Sequence, residues 1–290
     1  MFSKIFSKTI DSNQNRVILR IFGIKFSFKF KAKIKFPKNA ISTQKILSNP
    51  ETLNYKNKTA TIFALFNKDG LLLENTLAYL QELKKYTDFL VVVSDCPMLE
   101  AEIEKLSSVA NAYIIERHNE YDFGSYKRGF LLLQNLNVLQ NVDNLILCND
   151  SVVYNGNSIE EVIKGVKAHD FFGMTINKNG YSKELILDAN SPHIQSYFVS
   201  VSKNIFEKPF FTDFMNSIKK ENKKELIIYN YEQGLSRVIT SNGFEMNSFY
   251  PVRENDSTYP DPYFYYLNND SSYTGERIFL KKNLLNLQNI

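Results

Sequence analysis

Residues Glu116 to Tyr154 decide the predicted fold and read ERHNEYDFGSYKRGFLLLQNLNVLQNVDNLILCNDSVVY. The stretch begins as a polar loop, continues through Asp122-Phe123-Gly124-Ser125-Tyr126 into a helical run, and enters an apolar strand at Leu145. That strand ends in the acidic turn Asn149-Asp150-Ser151. Ligands of open α/β sheets bind in the crevice beyond the carboxyl ends of the strands. The turn therefore predicts a site centred on Asp150.

The start of the predicted helix resembles a loop that binds an anion or a hydroxyl-rich group. We expect Asp122 or Ser125 to cap the first turn, and Gly124 to let the backbone approach a ligand. Unpaired N–H groups add partial positive charge there, and Lys127 and Arg128 add full charges. In the alternative interpretation, Asp122 is an ordinary N-cap and the two cations form a solvated face.

Short apolar strands alternate with helices around this stretch. Strands are predicted to begin at Thr59, Phe89, Ala112 and Leu145, with helices between them. This alternation predicts an α/β fold with a Rossmann-like sheet, parallel in its first half and covered by helices on both faces. Later residues predict strands over 170–176, 193–201 and 244–249, helices over 159–167, 209–219 and 227–241, and an amphipathic C-terminal helix over 278–287.

The first 58 residues form a basic segment. They contain thirteen Lys and Arg against two acidic residues, about +11, whereas the whole chain carries +4. Lys alternates with Phe and Ile over 21–36, which predicts an edge strand or hairpin with one apolar and one cationic face. Such a face suits an anionic membrane surface. The alternative is a structural β-arm docked on the main domain.

These patterns predict three parts: a basic arm (1–57), an α/β domain (58–262) and a tail (263–290). We expect neither a signal peptide nor a membrane span, because no apolar run in the sequence is long enough. The predicted location is therefore cytoplasmic, on the inner face of the plasma membrane, with the arm as the contact.

Several classes of site are excluded by the residues that are missing. Cys96 and Cys148 lie at or beside strand ends and are expected to be reduced, half-buried thiols, and the three histidines are too scattered for a zinc site. Gly124 and Gly129 have P-loop spacing, but Phe130 stands where the motif needs Lys. The basic arm carries no nucleic-acid-binding motif, so no nucleic-acid partner is expected. An enzymatic site must therefore depend on carboxylates.

Three acidic residues lie at predicted element ends: Asp95, Asp150 and Glu232. One carboxylate can hold a base or ribose, one can hold a divalent cation that bridges phosphates, and one can accept a proton from an attacking hydroxyl. Glycosyl transfer from a nucleotide sugar needs these three functions. Each residue also has a structural alternative: Asp95 as an N-cap, Asp150 as a turn former, and Glu232 as the ion-pair partner of Arg237.

From Thr59 to about Arg237 the chain resembles GT-A glycosyltransferases, and more specifically the rhamnan synthesis F family of bacterial polysaccharide transferases. The motifs that carry the resemblance are residues 122–126 with Gly129, Asn149-Asp150-Ser151, Phe172-Gly173-Met174-Thr175, residues 193–198, and Tyr231-Glu232 with Gly234. The resemblance implies a GT-A fold and transfer of a sugar, rhamnose-like or another capsule sugar, from a nucleotide-diphosphate donor. The implied acceptor is a growing surface glycan, with lipid-linked glycans included, and the implied stereochemistry is inversion.

The resemblance also implies residue roles. The base-contacting Asp of GT-A enzymes falls on Asp95, and their Asn-x-Gly loop falls on Asn119, with Tyr121 where glycine is usual. Their Asp-x-Asp metal turn falls on Asn149-Asp150-Ser151, so the first carboxylate is missing and Mg²⁺ or Mn²⁺ would be held by Asp150, water and diphosphate. Glu232 falls on the position of the base. The donor-binding set is completed by Asp122, Gly124, Ser125, Lys127, Arg128 and Asn149.

His193, Gln195 and Arg237 are the predicted contacts of the acceptor or the sugar, although a structural role for His193 is the alternative. The missing first acid of the metal turn motivates a second hypothesis for the whole protein. In that hypothesis the chain is a catalytically silent glycan- or nucleotide-binding subunit of a capsule-assembly complex.

Overall fold

The computed structural model describes residues 6–11, 16–21, 24–29, 34–188, 190–250 and 278–281. The chain divides into two compact units, Met1–Phe36 and Pro37–Ile290. The first unit contains β1 (Phe6–Asp11), β2 (Arg16–Ile21) and β3 (Ile24–Lys29), which pair antiparallel in that order. This confirms the β-structure predicted over 21–36 for Ile24–Lys29, whereas residues 34–36 do not form a strand. The side chains of β3 and residues 30–33 lie outside the described part of the chain, so the cationic face stays a prediction.

The centre of the second unit is a set of four parallel strands built from uninterrupted apolar runs. They are β5 (Thr59–Leu65), β6 (Phe89–Ser94), β7 (Ala112–Ile115) and β8 (Asn144–Asn149), and every residue in them is buried. Strands that are apolar on both faces must be covered on both faces. Their order in the sheet is β8-β5-β6-β7, and neighbours pair in parallel. The predicted parallel first half is therefore confirmed.

Shorter strands extend this sheet at both edges. At one edge β4 (Thr43–Ile46) pairs antiparallel with β7. At the other, β15 (Phe198–Ser202) pairs antiparallel with β8, followed by β10 (Phe171–Gly173) and β16 (Asn247–Ser248). The result is a mixed sheet of eight strands. The described residues also form three small antiparallel sheets of two strands each. The paired strands are β9 (Val152–Tyr154) with β17 (Phe279–Lys281), β11 (Ile176–Asn177) with β14 (His193–Ile194), and β12 (Gly180–Tyr181) with β13 (Leu187–Asp188).

Helices cover both faces of the sheet, as the sequence predicts. One apolar core contains residues of α3 (Tyr121–Asn135), α6 (Pro209–Ser217) and α8 (Gln233–Ser241), and the other contains residues of α1 (Glu74–Lys84), α2 (Glu100–Ser107) and α4 (Glu160–Ala168). The short helices are α5 (Lys203–Phe206) and α7 (Lys224–Ile227), and a π-helical turn, Ile228–Glu232, joins α7 to α8. No helix within the described residues is long and apolar enough to span a membrane.

Several predicted elements differ from the structure. The single strand predicted over 193–201 is two strands, because its two parts pair with different partners: His193–Ile194 pairs with β11, and Phe198–Ser202 pairs with β8 and β10. The helix predicted over 278–287 is wrong in its described part: Phe279–Lys281 is a strand, and the Phe279 ring lies 4.8 Å from that of Tyr79. Residues 282–287 lie outside the described part. The second unit begins at Pro37, earlier than the predicted boundary at residue 58.

Cys96 and Cys148 are free and fully buried. The predicted half-buried position is therefore wrong for both residues, and their reduced state stays a prediction.

Candidate functional site

The carboxyl ends of the central strands bring two of the predicted carboxylates to one edge of the sheet. The Asp95 N–H donates to Leu65 O at 2.9 Å, and the Asp150 N–H donates to Ala64 O at 3.2 Å. Both residues therefore follow their strands at the end of β5, one on each side of it. This is the edge at which open α/β sheets bind ligands.

Asp95 organises the loop that follows β7. Its Oδ1 accepts hydrogen bonds from the backbone N–H groups of His118 at 2.7 Å and Asn119 at 2.9 Å. Its Oδ2 lies 2.6 Å from Nη1 of Arg117. Burial raises the pKa of Asp95, and the two backbone hydrogen bonds and Arg117 oppose that rise. Asp95 is not the N-cap of α2, which is Leu99. The predicted contact of Asp95 with a base or ribose stays a prediction.

His118 fixes the same loop from inside, with no side-chain surface exposed to solvent. Its Nδ1 accepts the Glu120 N–H at 3.2 Å, so the proton is on Nε2, which donates to Ser125 Oγ at 3.0 Å. Burial lowers the pKa of His118 to about 3, and Arg128 and Arg117 add to the effect. The sequence prediction did not include Arg117 or His118, although both lie within three residues of the end of the buried strand β7, which was the available signal.

The first turn of α3 differs from its predicted form. Neither Asp122 nor Ser125 caps it: the N-cap is Glu120, with no side-chain cap hydrogen bond. Ser125 is bonded to His118 instead, and a Cβ added to Gly124 would lie 2.3 Å from the Glu120 Cβ. The absence of a side chain at Gly124 therefore makes room for the chain's own loop.

Asp122 lies among acidic groups that come from three elements. Its Oδ2 accepts a hydrogen bond from Nδ2 of Asn149, at the end of β8, at 2.8 Å. The pKa of Asp122 is raised to about 7, chiefly by burial and then by the negative charges of Asp150 and Glu232, while Lys224 acts to lower it. Asp122 thus shares one electrostatic environment with both predicted catalytic residues. The Asn149 side chain, which stands where a first metal-binding carboxylate was expected, holds Asp122 in place.

Glu232 is tied to this group through the segment before β15. Its Oε1 accepts the Ser196 N–H at 2.7 Å, and the Ser196 carbonyl accepts the Tyr126 hydroxyl at 2.8 Å. Glu232 ends the π-helical turn Ile228–Glu232, a rare geometry that often occurs at functional sites. Arg237 is not its ion-pair partner: Arg237 donates to Tyr229 O at 2.6 Å and lies 4.5 Å from the centre of the Tyr229 ring.

The two predicted donor-binding cations have partners within the protein. Lys127 Nζ donates to Asn216 O at 2.9 Å and Ile218 O at 2.8 Å, at the carboxyl end of α6. Arg128 forms ion pairs with Glu120, at 2.6 Å, and with Glu116. These contacts give both residues a structural function, and their contact with a donor stays a prediction.

Of the three predicted acceptor contacts, His193 and Gln195 are buried and Arg237 is exposed. His193 Nδ1 is 2.9 Å from Ser191 O, and Gln195 accepts from Thr175. The structure thus gathers Asp122, Asn149, Asp150 and Glu232 in one environment and places His193, Gln195, Lys127, Arg128 and Arg237 in contacts of their own.

A model for the family described as rhamnan synthesis protein F matches residues 90–289. The chain belongs to the rhamnan synthesis protein F family. This confirms the family that the sequence motifs predicted. The match begins in β6 and includes the loop held by Asp95, the acidic turn and Glu232.

One curated relative of this family member is the uncharacterized protein y4gN of Sinorhizobium fredii, which is 27% identical over 192 residues. The match covers 65% of this chain and 48% of the relative, so the chain spans about half the length of that protein.

Solved structures with a similar arrangement include 4-diphosphocytidyl-2C-methyl-D-erythritol synthase from Anaerococcus prevotii, with 9% identity, a TM-score of 0.39 and coverage of 71% of this chain and 98% of that one. Core-mannan synthase A from Aspergillus fumigatus, in a Mn/GDP form, has 10% identity and a TM-score of 0.35, and the match covers 78% of this chain and 83% of that one. With TM-scores below 0.5, neither similarity bears on the function of this chain.

The donor set at the acidic turn fits a hard divalent cation held mainly by its substrate. Mg²⁺ is commonly bound through one or two carboxylates together with phosphate oxygens and water. Asp150 can supply one carboxylate, and Asp122 lies close enough for its pKa to respond to the charge of Asp150. Among the described residues, no group of three or more His, Cys, Asp and Glu side chains is placed to hold a metal by itself.

Proposed function

We propose that this member of the rhamnan synthesis protein F family is an inverting glycosyltransferase. It moves a sugar, rhamnose-like or another capsule sugar, from a nucleotide-diphosphate donor to a hydroxyl of a growing bacterial surface polysaccharide. The observation that carries the proposal is the convergence of Asp122, Asp150 and Glu232 at the carboxyl edge of the sheet. Family membership supports a transferase of polysaccharide synthesis.

Glu232 is the general base in this proposal. The Ser196 N–H fixes Oε1, and no described residue donates a hydrogen bond to Oε2, so Oε2 is available to the acceptor hydroxyl. Removing the hydroxyl proton as the oxygen attacks the anomeric carbon makes that oxygen a better nucleophile. The carboxylate is half-buried, which limits competition from bulk water.

Asp150 and its neighbours form the donor side of the proposed site. Asp150 would hold Mg²⁺ or Mn²⁺ together with the diphosphate, and a bound cation would neutralise the charge that develops on the leaving diphosphate. Asn149 holds Asp122, and Asp95 fixes the loop that carries Asn119. We propose that the N–H groups of the first turn of α3 that precede Gly124 face the donor, since the Gly124 N–H already donates to Glu120 O at 3.2 Å.

The second candidate is a catalytically silent subunit that binds a nucleotide or glycan. The observation that favours it is the amide of Asn149, which occupies the place of a carboxylate and is already bonded to Asp122. A silent subunit binds the donor without releasing nucleoside diphosphate. Single-turnover measurements with enzyme in excess over each donor therefore separate the two candidates.

The test first measures the binding of UDP, dTDP, GDP and CDP to the full chain, with and without Mn²⁺. It then measures sugar transfer from the sugar nucleotides that contain each base that binds. Glu232→Gln keeps the acceptor for the Ser196 N–H and loses the base, so kcat should fall roughly 10²–10⁴-fold with little change in donor Kd. Asp150→Asn should lose both donor affinity and turnover.

Glu207→Gln is the matched control. Glu207 lines a cleft of about 660 Å³ that Lys58 and Asn144 also line, at the amino ends of β5 and β8 and thus at the opposite edge of the sheet. The transfer activity of Glu207→Gln should equal that of the wild type. Turnover in Glu232→Gln at the wild-type rate would remove the base assignment, and failure of every nucleotide to bind the wild type would remove the proposed function.

We also propose that the basic arm attaches the enzyme to the inner face of the plasma membrane, where a lipid-linked acceptor would be met. The excess of lysine and arginine in residues 1–58 supports this.

A further inference from the structure

Two residues in the loop that leads into α3 have a left-handed backbone. Asn119 has φ +60° and Tyr121 has φ +58°. Asn tolerates this conformation, but for a bulky residue it is strained, and such strain persists only where the surroundings impose it. Tyr121 is also 49% exposed, so its ring is not held there by burial in the core.

The surroundings of Tyr121 do impose the conformation. Asp95 binds the N–H groups of His118 and Asn119, and His118 binds the N–H of Glu120. Arg128 then pairs with the Glu120 side chain at 2.6 Å and donates to Gly124 O at 3.0 Å. Every residue from His118 to Glu120 is thereby fixed, and Tyr121 follows directly.

This fixed loop ends at the proposed site. Tyr121 directly precedes Asp122, which shares its electrostatic environment with Asp150 and Glu232. The chain therefore maintains an unfavourable backbone at a half-exposed aromatic residue that directly precedes Asp122, whose carboxylate accepts a hydrogen bond from Asn149 at the end of β8. Aromatic side chains held in this way bind the faces of planar or apolar rings by stacking.

We propose that Tyr121 is a donor-binding residue whose ring packs against the face of a ring in the sugar nucleotide, either the base or the sugar. The proposal rests on the proposed function, since it needs a donor at this edge of the sheet. It assigns a role to the aromatic ring and none to the hydroxyl.

The experiment compares the wild type with Tyr121→Phe, Tyr121→Gly and Tyr121→Asn in calorimetric titrations. The probes are UDP, dTDP, GDP and CDP, and then UDP-glucose, dTDP-rhamnose and GDP-mannose. Phe keeps the ring, whereas Gly and Asn remove it and relieve the backbone strain. Tyr121→Phe should bind the probes as tightly as the wild type does. Tyr121→Gly and Tyr121→Asn should bind them roughly 5- to 100-fold more weakly, which is the effect expected for the loss of one stacking partner.

The melting temperature separates binding from folding. Strain relief in Tyr121→Gly and Tyr121→Asn offsets the packing lost by a half-exposed ring, so Tm should stay within about 2 °C of the wild type or rise. Asn137→Gly is the control, because Asn137 has φ +56° just beyond the other end of α3. It should change neither donor affinity nor the ranking of the probes.

If Tyr121→Gly and Tyr121→Asn lose affinity for the free nucleoside diphosphates, the base is the stacking partner. If they lose affinity only for the sugar nucleotides, the sugar is the partner. Wild-type affinity in Tyr121→Gly and Tyr121→Asn overturns the proposal, as does an equal loss in Tyr121→Phe. Weak binding that occurs only together with a lowered Tm assigns Tyr121 to folding. If no probe binds the wild type, it is the proposed function that fails, and this inference falls with it.

Discussion

Acid should destabilise the protein through His118, and the variant His118→Asn should remove that effect. Asn keeps an acceptor near the position of Nδ1 for the Glu120 N–H and loses the bond to Ser125. At pH 7.5 we expect the variant to be less stable by about 1–3 kcal/mol, from the lost hydrogen bond and the space left by the ring. The informative quantity is how this difference changes with pH.

The pKa of His118 is lowered from 6.5 to about 3, chiefly by burial. Below pH 6.5 the unfolded chain binds a proton at His118 that the folded chain does not bind, so stability falls as the pH falls from 6.5 towards 3. Each pH unit corresponds to 1.36 kcal/mol, so the wild type should lose about 2 kcal/mol through this group between pH 6.5 and pH 5. His118→Asn should not show that loss.

The free energy of unfolding is measured in urea at pH 7.5, 6.5, 5.5 and 5 for both proteins. The comparison is needed because Asp122 acts in the opposite direction: its pKa is raised to about 7, so its protonation favours the folded state as the pH falls towards 3.8. Subtracting the free energy of unfolding of His118→Asn from that of the wild type at each pH leaves the contribution of His118. His169→Asn, at an exposed histidine, serves as the control and should keep the wild-type pH profile. Parallel curves for the wild type and His118→Asn would refute the lowered pKa.

Lys127→Met should lower the free energy of unfolding by about 1–2 kcal/mol through loss of the bonds to Asn216 and Ile218. Lys164→Met, at an exposed pair with Glu161, is the control and should leave the free energy of unfolding unchanged. Unchanged stability with a weakened donor Kd in Lys127→Met would instead make Lys127 a donor contact. In the arm, replacing Lys25, Lys29, Lys31, Lys33 and Lys35 with Gln should release the protein from anionic vesicles, at about 1 kcal/mol for each lysine, without loss of transfer to a soluble acceptor. Equal vesicle sedimentation of both proteins would favour the docked-arm alternative.

The central strands could be predicted because their sequence and their environment agree. β5, β6 and β8 are apolar on both faces and lie within a sheet that is covered on both faces. The parallel connection then places the residues after each strand at one edge, so Asp95 and Asp150 could be assigned to the site edge without coordinates.

Elements whose conformation depends on distant partners could not be predicted. The tail residue Phe279 lies in a strand because Val152–Tyr154 offers a pairing partner and Tyr79 and Tyr154 offer aromatic contacts, all far away in the chain. Similarly, Asp122 has the spacing of an N-cap, but Asn149, 27 residues away, binds its carboxylate instead. Local sequence patterns contain no information about such competition.

The charges at the proposed site indicate how a donor must arrive there. The acidic groups Asp150 and Glu232 act on Asp122 together with one cation, Lys224, while Lys127 and Arg128 are bonded to carbonyls and carboxylates of the protein. A nucleoside diphosphate is itself an anion, so its approach to this edge is opposed unless a cation comes with it. Mg²⁺ or Mn²⁺ bound to the diphosphate would offset its negative charge, and Asp150 would then attract the bound cation. The lack of a first carboxylate at Asn149 fits this order of binding, because a cation that arrives on its substrate needs fewer ligands from the protein than one held beforehand.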